Sequence, residues 1–210
     1  MEDYQDRAAI LNVPSLIINA LFGIGKLILG VYLLSGWFII IAVYYLLLCA
    51  AKAQALYKYT VAKSIEDPKE RHCMEHFVYK RSGTFLCLLG LSYLLVCLRM
   101  YFVGDVILYR GSLAYLVATI AFSKLGFAIS GFIGKRHLKG PIVASLKMFS
   151  FTDAMVSIVV TQYTLLAIEN PANAISSSAM FGMGCSVLFC SLGIYMLLKK
   201  MSVPLASPKE

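Results

Sequence analysis

Charge is scarce in this chain. Charged residues make up 14% of its 210 positions and hydrophobic ones 60%, whereas a soluble domain carries about 25% charged residues to cover its surface. Water is therefore excluded as the solvent for most of the molecule. No segment outside the apolar stretches is long enough to form a globular core of its own, which predicts a single membrane domain over residues 1–210. The acidic start, Glu2, Asp3 and Asp6 against Arg7, leads into a span-length apolar stretch without a small-residue cleavage site, which argues against a cleavable signal peptide.

Other absences narrow the chemistry. Six cysteines are present, but none forms a CxxC pair. Cys49, Cys87, Cys97, Cys185 and Cys190 fall in apolar stretches and Cys73 in a basic loop, which argues against a disulfide framework or a metal–thiolate site. GxSxG, HExxH, a phosphate-binding glycine loop and paired aspartates are all missing, and the outer loops are too short for a catalytic domain. The expectation is a non-enzyme without a cofactor.

What the chain does have is six apolar stretches: Val13 to Ser35, Trp37 to Leu56, Thr84 to Val103, Ser112 to Gly134, Pro141 to Ile168 and Ser177 to Leu198. Backbone polar groups in hydrocarbon must be satisfied within the segment, and the alternation of a barrel strand is absent, so each stretch reads as a helix. The expected fold is an all-α, polytopic transmembrane bundle of six helices.

Lys and Arg set its orientation, because cytoplasmic loops retain them. Lys52, Lys58, Lys63, Lys69, Arg71, Lys80 and Arg81 flank the second connection, Lys135, Arg136, Lys139 and Lys147 the fourth, and Lys199, Lys200 and Lys209 follow the last span. Both termini are thus expected in the cytoplasm. The net charge of +8 is accounted for by this bias and by attraction to anionic lipid headgroups, with no call for nucleic acid. Trp37, Tyr101, Phe102 and Tyr109 suit the outer boundary, and Tyr57, Tyr59, Phe77 and Tyr79 the inner one.

Within the longest connection, Thr60 to Gly83, Asp67 followed by Pro68 has the form of a helix start, and Met74, Phe77 and Val78 recur at helical spacing. A short amphipathic cytoplasmic helix between spans 2 and 3 is expected there. The same segment spells H-x-x-E-H at His72, Glu75 and His76, the weak metal candidate of the chain; a zinc peptidase would need a further ligand and a cleft that a loop this short does not supply.

The informative residues are those that lipid should exclude. Lys26, Lys124 and Asp153 lie near the middle of the first, fourth and fifth stretches, where each ionised side chain costs about 2.5–3.5 kcal/mol. The rise per residue places Lys124 and Asp153 at matching depth on antiparallel helices, which favours an ion pair between them, with Lys26 within side-chain reach of the same plane. On the fifth stretch Lys147, Ser150, Asp153, Ser157, Thr161 and Thr164 share one helical face with Gln162 beside it. That face either lines a hydrated path or bonds to helices, its own included. Ser178, Gly182, Ser186 and Cys190 form a ridge of small residues suited to close packing.

The string from Phe122-Ser-Lys-Leu through Pro141, Ala144, Lys147 and Ala154-Met-Val-Ser157 to Gln162 resembles small six-span membrane proteins of Gram-positive gut bacteria that carry no assigned activity. The resemblance covers about a quarter of the chain and implies a bacterial plasma membrane, but no functional residues. Two functions stay open. One is a transporter or channel subunit for a small solute or ion, with Lys26, Lys124, Asp153, Ser150, Ser157, Thr161 and Gln162 around an intramembrane polar site. The other is a sensor, accessory or immunity-type protein with a membrane-protein partner, in which the same charges lock helices together.

Overall fold

The computed structural model describes residues 2–32, 34, 36–65, 67–104, 140–169 and 171–199, together with single positions at 115, 119, 122, 123 and 126. Among the described residues there are five helices: α1 (Glu2–Tyr32), α2 (Gly36–Lys63), α3 (Pro68–Val103), α4 (Pro141–Glu169) and α5 (Pro171–Leu198). Each contains a stretch long and apolar enough to cross a membrane. The chain is an all-α, multi-pass membrane protein.

The predicted fourth span, residues 112–134, lies outside the described residues apart from its few single positions. Those are helical, and the Thr119 and Ser123 hydroxyls donate to carbonyls one turn back, at 2.9 Å and 2.8 Å.

The separate surface helix expected between spans 2 and 3 is not formed. Its start is where the sequence put it, with Asp67 as N-cap accepting from the Lys69 amide at 3.0 Å and Pro68 in the first turn. The helix then runs without a break for 36 residues to Val103, a length of about 54 Å. Only Gly83 stands between the basic segment and the apolar one, and a lone glycine weakens a helix by about 1 kcal/mol without ending it. Gly104, at φ 66°, ends it, donating its amide to the Met100 carbonyl at 3.2 Å. The connection between α2 and α3 is thereby reduced to residues 64–67. At the other end of the chain, α1 begins well before Val13 and passes through Pro14.

On α3 the outward-facing Leu95, Leu91 and Leu88 give way to Arg81 and Lys80 and then to Phe77, all exposed. The rise from Arg81 to the exposed Tyr101 is about 30 Å, the thickness of the hydrocarbon layer. The first turns of α3, about 20 Å, therefore project past the apolar layer at the end of the bundle that carries Lys80, Arg81 and Lys199.

In the bundle α3 packs along α5 on one side and α2 on the other, α1 lies against α2, and α4 touches α1, α2, α3 and α5. Leu48, Leu86, Leu89, Leu146, Phe149 and Phe189 form its fully buried centre. The α3–α5 seam is the tightest. A Cβ at Gly193 would sit 2.7 Å from the Gly83 carbonyl oxygen and 2.5 Å from Cys87 Sγ, and one at Gly90 2.6 Å from Cys190 Sγ. The predicted small-residue ridge of the last span faces this contact, with Gly182 against Cys97, and Ser186 and Cys190 against Gly90. Glycine lets the two backbones meet where dispersion, not a hydrophobic driving force, holds helices together.

Candidate functional site

Asp153 stands about 18 Å along α4 from Pro141, and its carboxylate is almost wholly removed from solvent. Its amine partner is Lys52 on α2, with Lys52 Nζ 3.2 Å from Asp153 Oδ2 and side-chain exposures of 0% and 5%. The same oxygen accepts from Asn19 Nδ2 on α1 at 3.0 Å, and Lys52 Nζ donates as well to Ser15 Oγ at 2.8 Å. Three helices are tied at one point. One turn from Lys52, the Cys49 thiol donates to the Leu16 carbonyl at 3.7 Å, continuing the α1–α2 seam.

Lys52 corrects the sequence reading, which counted it among the flanking cationic residues of a cytoplasmic connection. α2 continues to Lys63, so Lys52 lies about 16 Å from the helix end and is enclosed by protein. Lys124, the predicted partner of Asp153, lies outside the described residues. Lys26 is brought to α2 rather than set beside Asn19: it stands two turns farther along α1 with its ammonium 4.8 Å from the centre of the Tyr45 ring, a cation–π arrangement.

The polar face of α4 is spent largely on the helix itself. Ser157 donates to the Asp153 carbonyl at 2.9 Å and Thr161 to that of Ser157 at 3.0 Å, the back-bonding common for hydroxyls in transmembrane helices. Ser150 and Gln162 are half-buried on the same side. His72, Glu75 and His76 lie on the projecting part of α3, where Glu75 is engaged by Arg71 at 3.3 Å. Among the described residues no three His, Cys, Asp or Glu side chains come together to hold a metal ion.

Among the described residues, two polar atoms at the centre have no hydrogen-bond partner: Asn19 Oδ1 and the Tyr44 hydroxyl. Both residues are buried, at 0% and 1% exposure. Tyr44 lies two turns from Lys52 on α2 and packs against Tyr93 of α3, with ring centres 5.5 Å apart; Tyr93 in turn meets Phe189 of α5. Buried polar groups without partners are rare, and each costs about 1–3 kcal/mol. Asn19, Ser15 and Tyr44 escaped the sequence reading because an uncharged polar residue in a span carries no signal of its own; only the spacing of Ser15 and Asn19, one turn apart, could have drawn attention.

No protein-family model and no curated protein matches the chain.

Proposed function

We propose that this protein moves a small solute or ion across the bacterial plasma membrane, as a transporter or channel subunit, with Asp153, Lys52 and Asn19 at the centre of its path. One observation carries this reading. A clasp that served only to hold α1, α2 and α4 together would satisfy its own polar groups, whereas this one leaves Asn19 Oδ1 open in the interior, and two turns from Lys52 along α2 the Tyr44 hydroxyl is open as well. An open polar atom on a side chain that holds the charge pair provides for a species the protein does not contain. The complete burial of Lys52 supports the second reading, a static clasp in a sensor or accessory protein.

Accessibility separates the two. In a background in which the native cysteines are replaced, Tyr44→Cys in native membranes is expected to react with a small cationic thiosulfonate several-fold faster than Leu91→Cys on the lipid-facing side of α3. Equal rates would leave only the clasp.

In this proposal the basic end of the bundle faces the cytoplasm, with Lys80, Arg81 and Lys199 against anionic headgroups. Cys73 is exposed on the projecting part of α3, so it reports the orientation directly. An impermeant maleimide should label it only after cells are permeabilised, and labelling of intact cells would invert the topology.

A further inference from the structure

We infer that the ion handled at this site is the proton and that Asp153 is the group that takes it up. This rests on the transport reading above and names its ion. The Asn19 amide offers a donor and an acceptor side by side. In the structure its Nδ2 donates to Asp153 Oδ2 while its Oδ1 faces no donor. A permanently ionised carboxylate needs donors alone. A half-turn of the amide would present Oδ1 to a carboxylic O–H, so the one side chain serves both the charged and the neutral acid.

Lys52 is provided for in the same way. When the carboxyl is neutral its ammonium keeps the Ser15 hydroxyl, already held at 2.8 Å. The step is a protonation: an O–H bond forms on a carboxyl oxygen of Asp153, hydronium is returned as water, the Lys52 contact to that carboxyl weakens, and no electrons move. The charge of the site rises by one. The open Tyr44 hydroxyl, two turns from Lys52 along α2, can donate or accept.

Among the described residues in the apolar stretches of the packed helices, Asp153 is the one acid. Within the apolar parts of the packed helices, α1 carries Lys26 and Tyr32, α2 carries Tyr44, Tyr45, Cys49 and Lys52, and α3 carries Cys87, Tyr93, Cys97, Arg99 and Tyr101. α5 carries Cys185, Cys190 and Tyr195, and α4 itself Lys147 and Tyr163. None supplies a second carboxylate. A metal cation would have to displace the Lys52 ammonium from Oδ2, so the amine sets the site against it.

Infrared difference spectroscopy of the purified full-length protein in lipid tests this directly. On lowering the pH, a carboxylic C=O stretch should grow that is absent from Asp153→Asn, and Asn19→Leu should move it to higher frequency by removing its hydrogen-bond acceptor. Absence of any Asp153-dependent band across the pH range in which the amide signal stays helical would overturn the inference. So would a change in the carboxylate bands on exchanging K+ for Na+ at fixed pH, which would assign the site to a metal cation. If Asp153→Asn does not fold, the Asn19→Leu frequency shift alone decides. A titrating Asp153 with an inaccessible Tyr44→Cys removes the transport reading and keeps the proton site; accessibility without titration does the reverse.

Discussion

Replacing Lys52 by Met lowers the unfolding free energy in detergent by about 3–5 kcal/mol, the cost of leaving a buried charge without its partner. Met matches the lysine stem in length, so the packing of α2 against α1 is kept and the loss is electrostatic. Part of it is limited by Asp153 taking up a proton. The double variant Lys52→Met with Asp153→Leu recovers most of the stability, because apolar residues of similar volume replace buried pairs at little cost. Lys26→Met is the internal comparison. Its ammonium lies over Tyr45, an interaction of about 0.5–1 kcal/mol when partly exposed, so its loss is the smaller by a wide margin. Thermal unfolding of the four proteins checks the ordering, and a Lys52→Met protein as stable as the parent would contradict the buried pair.

Gly193→Ala is expected to destabilise the bundle by about 1–3 kcal/mol through overpacking. The added Cβ would meet the Gly83 carbonyl oxygen at 2.7 Å and the Cys87 amide nitrogen at 2.9 Å. Both are backbone atoms of α3 and cannot rotate away, so the two helices must separate along a seam that has only close packing to hold it. Gly184→Ala on the same helix has nothing within 4 Å and should be neutral or stabilising by up to about 1 kcal/mol, since alanine is the better helix former. Comparable thermal midpoints for the two variants would mean that α3 and α5 do not approach as described.

Much of the architecture was legible because lipid leaves the backbone so little choice. Helicity, the start at Asp67 and Pro68, the end of α3 before Gly104, the α4 start at Pro141 and the α5 end at Leu198 all follow from apolar runs and their stop signals. The continuity of α3 did not, because the change from charged to apolar at Lys80 to Gly83 marks a change of solvent and not of backbone. The site was legible in half. Asp153 stood out by its charge in an apolar run, while Lys52 was hidden by its place a few residues from the end of one. Near a span end, an amine ordinarily snorkels to the interface. Here α2 continues for three turns and Asp153 offers a closer partner, so the amine turns inward. Depth along single helices was a poor guide to partners, since it depends on where each helix is taken to begin, and α1 and α2 both run past the boundaries that hydropathy gives them.

The central claim is that Asp153 and Lys52 meet inside the bundle. Solid-state NMR dipolar recoupling between 15Nζ-lysine and 13Cγ-aspartate in lipid bilayers measures that contact without perturbing it. A short-range correlation matching the 3.2 Å Nζ–Oδ2 separation should be present in the parent and in Lys26→Met and be lost in Lys52→Met. A correlation that survives unchanged in Lys52→Met, or is absent from the parent, would contradict the account.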